Sequence, residues 1–272
     1  MQSLPDGLPR DFLAVFDSGV GGLSVLRVMQ REMPGVPLVF YADQAHVPYG
    51  DRPVKEIDTY VQAAARLLFD AGARALVLAC HTASATSLYA LREAFPDKPI
   101  VGIEPAVKPA AAATQSGVIG VLTTRATAGG MLYQRVVHDH ASHVNVITRI
   151  SPELVRLVES GDWDSAHGET VIRDHVDPLI AAGADQLVLA CTHFPFLAPM
   201  LGRLYPGLAL VDPADGVTRQ TRRVLPPLDE AGGTVYLTTG DPAKLARDIA
   251  TLTPGATAGR IIQAPVTGYP AV

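Results

Sequence analysis

The sequence predicts an α/β protein built from two similar units on parallel sheets. Three observations lead there. Short apolar strands alternate with helical segments along most of the chain, which is the pattern of parallel sheets with right-handed crossovers. A phrase recurs: residues 72–80 read GARALVLAC and residues 183–191 read GADQLVLAC. The 272 residues leave room for two units of roughly 100–150 each.

The elements follow in order. Residues 13–16 are apolar and read as a first strand. Asp17-Ser18-Gly19-Val20-Gly21-Gly22 is a glycine-rich turn, and residues 23–33 fit a helix stopped by Pro34. A second strand over 36–41 opens into an irregular loop, His46-Val47-Pro48-Tyr49-Gly50-Asp51-Arg52-Pro53. A helix over 54–70 leads to the first cysteine strand, and a helix over 84–95 and a strand over 100–103 follow it. The pattern then restarts. A strand at 118–122 ends in Thr123-Thr124, a helix starts near 127, and a strand covers 144–150. Helices over 152–159 and 165–182 precede the second cysteine strand; a helix to about 205 and a strand at 209–211 come after it. The tail adds a helix (216–224), a strand (234–239) and a helix (242–250). Boundaries fall near Glu104-Pro105 and near Pro213. Composition leaves open which unit takes the tail.

Composition narrows the function classes. Hydrophobic residues are 48% and charged residues 18%, enough for a full core and unlike a disordered chain. The net charge of −5 gives no basic footprint for nucleic acid or an anionic membrane. No apolar run is long enough to span a bilayer, and Met1-Gln2-Ser3-Leu4-Pro5-Asp6 lacks a signal peptide's charged and apolar regions. A cytosolic protein is expected, and there its cysteines stay thiols.

Cys80 and Cys191 are the only cysteines, and each stands at the carboxyl end of an apolar strand, where open α/β sheets bind ligands. One thiol per unit allows a proton to leave one face of a small molecule and return to the other, which is what racemisation requires. A buried cysteine is more often inert packing. Two at equivalent strand ends, each beside Thr and His, argue for chemistry. Cys80, His81, Cys191 and His193 also make a conceivable zinc set, but their spacing is not that of a zinc site, and no metal is expected. Asp17-Ser18-Gly19 is either a capped turn or an anion-binding helix start. The run does not fit a dinucleotide fingerprint, because Ser24 stands where the third glycine belongs. Asp17 suits the tuning of a thiol, and a histidine beside a candidate base, as His193 is, can relay protons. Pro48-Tyr49-Gly50, Thr124 and Thr127 lie at strand ends where hydroxyls and amides recognise carboxylate and ammonium groups. There is no phosphate loop, and the four lysines stand in no cofactor setting, so no cofactor is expected.

Taken together, Phe16-Asp17-Ser18-Gly19-Val20-Gly21-Gly22-Leu23-Ser24-Val25, His46-Val47-Pro48-Tyr49-Gly50, Ala79-Cys80-His81-Thr82-Ala83, Gly102-Ile103-Glu104-Pro105 and Ala190-Cys191-Thr192-His193-Phe194-Pro195 resemble glutamate racemases of the cofactor-independent aspartate/glutamate racemase superfamily. The matches run in order over residues 13–225. The resemblance implies two flavodoxin-like, doubly wound domains with the active site in the cleft between them. It places the tail with the first domain, 1–104 plus 214–272, against 105–213. It implies interconversion of L- and D-glutamate, supply of D-glutamate for peptidoglycan, and a homodimer. Cys80 would take the α-proton of D-glutamate and Cys191 that of L-glutamate. Asp17, His193 and Glu159 match auxiliary catalytic positions; Glu159 by itself reads as a solvated helix end. Asp17, Ser18, Pro48, Tyr49, Gly50, His81, Thr82, Thr124, Thr127, Thr192 and His193 match substrate-binding positions.

One departure stands out. The family carries Asn directly after the first cysteine, and this chain carries His81. A protonated imidazole there would favour thiolate and bind carboxylate; a neutral one would crowd the pocket. His81 therefore leaves open a relative acting on another acidic or polar amino acid, or one that binds without turnover. Ser151 for Cys, Ala190 for Gly and Phe194 for Tyr are smaller departures.

Overall fold

The computed structural model describes residues 3–256 and 259–266. In chain order the elements are β1 (Phe12–Asp17), α1 (Leu23–Glu32), β2 (Leu38–Ala42), α2 (Val54–Asp70), β3 (Ala73–Leu78), α3 (His81–Ala94), β4 (Ile100–Gly102), α4 (Val107–Ala113), β5 (Val118–Thr123), α5 (Arg125–Gly129), α6 (Met131–Ala141), β6 (Asn145–Ile150), α7 (Pro152–Ser160), α8 (Ala166–Ala181), β7 (Gln186–Ala190), a 3-10 turn (Phe194–Leu197), α9 (Ala198–Leu204), β8 (Ala209–Val211), α10 (Ala214–Val224), β9 (Thr234–Thr238), α11 (Pro242–Leu252) and β10 (Arg260–Gln263). Residues up to 103 and from 214 onward form one compact unit; residues 104–213 form the other.

Each unit has its own sheet, and every ladder is parallel. The first runs β10-β9-β2-β1-β3-β4 and the second β6-β5-β7-β8. Numbered within its own unit, each contains the strand order 2-1-3-4 of flavodoxin-like folds. That order has a consequence. The chain leaves its first strand toward one side and returns on the other, so a crevice opens at the carboxyl ends of the first and third strands. Those strands are β1 and β3 in one unit and β5 and β7 in the other. The tail joins the first sheet, with β9 paired to β2 and β10 to β9.

Strands β1 and β2 are buried at every residue, as expected where helices cover both faces of a parallel sheet. The second unit has its own apolar core, in which Val107, Ala110 and Ala111 of α4 pack with Ile119 and Val121 of β5, Val188 of β7 and Tyr133 and Val136 of α6. Among the described residues no helix is long and apolar enough to cross a membrane.

Four local expectations need correction. Helix α3 starts at His81, three residues before the expected 84, because Cys80 serves as its cap. Helix α4 was not expected at all; Pro109 argues against a helix, but it lies in the first turn, where a missing N–H costs nothing. The single helix expected from 127 is two, α5 and α6, joined at Gly130, whose extended backbone breaks the run. Strand β10 was also unexpected; it is a short polar-edged segment at the sheet margin.

Candidate active site

The first cluster forms at the β1/β3 crevice. Asp17 ends β1 and is fully buried. Its carboxylate accepts the Gly19 N–H at 3.0 Å, which closes the turn. Gly22 is needed beneath it: a Cβ there would come within 2.5 Å of the Asp17 Cβ and 2.9 Å of the Phe40 ring. Cys80, two residues past β3, is the N-cap of α3, and its sulfur accepts the Ala83 N–H at 3.5 Å. A helix start with an amide pointed at sulfur favours negative charge there. Ser18 Oγ lies 3.6 Å from the same sulfur. Thr82 is buried one residue beyond His81.

Pro48-Tyr49-Gly50 lies in the loop after β2, and Tyr49 is buried. Burial, the Asp43 charge and hydrogen bond, and the nearby Cys80 hold the Tyr49 phenol well above its ordinary pKa. Tyr49 is therefore a hydrogen-bond donor at all physiological pH.

The second cluster forms at the β5/β7 crevice, where Thr123 is in register with Ala190. Thr124 and Cys191 therefore follow adjacent strand ends. Thr124 caps α5: its hydroxyl accepts the Thr127 N–H at 3.3 Å and donates to Thr127 Oγ1 at 3.0 Å. Cys191, Thr192 and His193 are all buried. His193 Nδ1 is 3.6 Å from Cys191 Sγ, and its Nε2 is 2.8 Å from Glu159 Oε1. Burial alone would lower the imidazole pKa. The hydrogen bonds and charges of Cys191 and Glu159 outweigh it and hold His193 well above its ordinary value. That direction favours the imidazolium, the form that donates from both nitrogens, to Cys191 and to Glu159. Glu159, His193 and Cys191 thus form a hydrogen-bonded line with the geometry of a proton relay to sulfur. Glu159 ends α7 but is not a solvated helix end; its side chain is 16% exposed and spent on His193.

The sequence profile of a family described as Asp/Glu/hydantoin racemase matches residues 21–221. A glutamate racemase from Deinococcus radiodurans is 47% identical over 271 residues, covering 96% of this chain and 93% of that protein. The crystal structure of a glutamate racemase from Escherichia coli in complex with L-glutamate and the activator UDP-MurNAc-ala superposes with a TM-score of 0.84, at 29% identity, covering 94% of this chain and 99% of that one. The glutamate racemase isoform RacE1 of Bacillus anthracis gives 0.83 at 28% identity, covering 94% and 99%. The chain belongs to the Asp/Glu/hydantoin racemase family.

His81 is the residue at which the resemblance expects an Asn. It is buried, and neither ring nitrogen has a hydrogen-bond partner among the described residues. Burial lowers its pKa to about 3. That direction favours the neutral imidazole over the protonated one. A neutral imidazole carries one donor and one acceptor, fewer than an Asn carboxamide, whose NH2 offers two donors and whose oxygen has two lone pairs.

Asp43 is a residue that sequence reasoning missed. It is fully buried just past β2 and accepts from Tyr49, His46 and Thr239. The available signal was an acidic residue closing an apolar strand, three positions before a histidine. Among the described residues no group of three or more His, Cys, Asp or Glu side chains is arranged to hold a metal ion.

Proposed function

We propose that this chain is a glutamate racemase in which Cys80 and Cys191 act on opposite faces of one substrate Cα, supplying D-glutamate for peptidoglycan. The observation that carries the reading is the repeated placement of a thiol. Each unit sets one cysteine within two residues of the end of the third strand of a 2-1-3-4 order, at the crevice where such sheets bind ligands.

The chemistry balances without a cofactor. From D-glutamate, the Cys80 thiolate removes the α-proton, forming S–H as the Cα–H bond breaks. The electron pair passes into the α-carboxylate. The Cys191 thiol then gives its proton to the other face, and L-glutamate leaves with Cys80 protonated and Cys191 as thiolate. The reverse reaction starts from that state. His193, held charged by Glu159, stabilises the Cys191 thiolate and returns its proton. For Cys80 the Ser18 hydroxyl and the Ala83 amide stabilise the thiolate, and the Asp17 carboxylate is the proton acceptor that regenerates it. Tyr49, Gly50, Thr82, Thr124, Thr127 and Thr192 supply hydroxyls and amides for the substrate's carboxylates and ammonium. The L-glutamate named in the E. coli complex and the name of the D. radiodurans relative support glutamate as substrate. We assign the enzyme to the cytosol and to a homodimer, which size-exclusion chromatography with light scattering tests directly.

The deciding experiment is incubation of the purified protein with L-glutamate in deuterated water. Deuterium should enter Cα as optical rotation decays, with no added cofactor. Exchange with aspartate or another amino acid, and none with glutamate, would move the substrate assignment to that amino acid. No exchange with any amino acid, together with tight glutamate binding, would replace the enzyme by a binding protein.

A further inference from the structure

Three donors converge on the Asp43 carboxylate. His46 Nδ1 lies 2.9 and 2.8 Å from its two oxygens. The Tyr49 hydroxyl donates to Oδ2 at 2.6 Å, and the Thr239 hydroxyl donates to Oδ1 at 2.9 Å. The Asp43 backbone N–H donates to the Asp17 carbonyl at 2.9 Å. Asp43 therefore ties the backbone of Asp17 with one group and the loop carrying Tyr49 with the other. The first tie holds the residue before Ser18, whose hydroxyl lies 3.6 Å from the Cys80 sulfur, and the second holds Tyr49.

The loop is held at its other points as well. The His46 ring stacks on Tyr60 at 3.8 Å. The His46 carbonyl accepts from Arg52 Nε at 2.7 Å, and the Arg52 N–H donates to the Tyr49 carbonyl at 3.0 Å. Tyr49 also packs its ring on Phe16 of β1, with centroids 6.4 Å apart. A fully buried carboxylate is expensive unless its oxygens are filled. Here they are filled by His46 and Tyr49 of the loop after β2 and by Thr239 just past β9, all buried partners.

We propose that Asp43 is a positioning residue for the Cys80 half of the reaction, fixing Tyr49 and the Pro48-Tyr49-Gly50 loop against the thiol. This rests on the racemase reading for its consequence in turnover, though not for its geometry. Asp43→Asn is the direct test. Asn offers one oxygen where three donors converge, so at least one donor meets an N–H instead. Tyr49→Phe is the second variant, because it removes a single hydroxyl from the same link.

Three quantities are read: cooperative melting, racemisation constants, and the pH profile of alkylation at each cysteine resolved by peptide mass. Asp43→Asn should lower kcat/KM at least tenfold, mainly through KM. The loss must be equal for both enantiomers, because the overall equilibrium constant is one. The Cys80 alkylation midpoint should move by at least half a pH unit while that of Cys191 stays. If Asp43→Asn does not melt cooperatively, Tyr49→Phe decides, with at least a threefold loss and the same displacement at Cys80. A folded variant with both profiles and kcat/KM as in the parent overturns the proposal. So does a Tyr49→Phe protein in which both cysteines shift together, which marks a general loosening. A parent without racemase activity would sink the functional reading alone, since the Cys80 profile still judges Asp43.

Discussion

At the residue scale the two thiols do not work in equivalent surroundings. Cys80 caps a helix beside a serine hydroxyl, while Cys191 faces an imidazolium. Each should be indispensable to racemisation: Cys80→Ser or Cys191→Ser should cost on the order of a hundredfold or more in turnover. A glutamate analogue with a leaving group on Cβ needs only the first proton removal. Cys191→Ser should still eliminate from its D form, and Cys80→Ser from its L form. Either mutant racemising at the parental rate would refute the two-thiol mechanism. His193 makes a pH prediction. Its folded pKa is raised above the unfolded value near 6.5, so its stabilising contribution is complete below about pH 6.5 and is lost as pH rises through the folded value. The stability advantage of the parent over His193→Gln, from urea melts, should shrink above pH 6.5. An advantage that grows with pH there has the wrong sign. His81 predicts a trade. Each of its two unpartnered nitrogens costs about 1–3 kcal/mol of desolvation. His81→Leu should raise the free protein's stability by a similar amount while raising KM for glutamate tenfold or more. His81→Asn should change KM but leave the pH profile between 5 and 9 unmoved, since His81 titrates near 3. A displaced profile would show a charged His81.

At the element scale the sequence was most legible where apolar residues recur with a helical period or form a short run between turns. The expected helix over 54–70 and strand at 209–211 coincide with α2 and β8. Legibility failed where side-chain chemistry overrides propensity. Nothing in the triplet His81-Thr82-Ala83 announces a helix start, because the cap is a thiol and cysteine is not a usual capping residue. Helix α4 is a run of alanines around a proline, with no polar face to give it a period. The site was legible to the same degree. Strand-end residues such as Cys80, Asp17 and Thr124 could be placed from order alone, whereas the link from Glu159 to His193 spans 34 positions and exists only in the fold. The turn after β1 yields a prediction at this scale. Gly22→Ala drives a methyl into Asp17 and Phe40, both buried. It should cost about 1–3 kcal/mol of stability and shift Asp17, so activity should fall further than stability explains. A variant with parental melting temperature and turnover would show that the turn relaxes freely.

At the scale of the whole molecule the two units differ in how they are encoded. Residues 104–213 are continuous and carry a four-stranded sheet, its helices and a core of their own. The other unit is discontinuous: β2, buried at all five residues, gains its outer neighbour only from β9, which arrives more than 190 positions later along the chain. Thr239, just past β9, also fills an Asp43 oxygen. Expressed alone, residues 1–103 would leave β2 as an open, apolar edge, the kind of strand that recruits other chains. That fragment should aggregate or remain without cooperative structure. Residues 104–213 alone should melt cooperatively and keep the Cys191–His193–Glu159 line, since all three residues lie inside it. They should catalyse no racemisation, because one thiol serves one face. Circular dichroism melts of both fragments and the pH profile of Cys191 alkylation in the second check this. A cooperatively folded 1–103, or an unfolded 104–213, would show that the units are not encoded as the sheet pairing implies. Racemisation by 104–213 alone would do more: it would remove the reason for a chain with a thiol in each half.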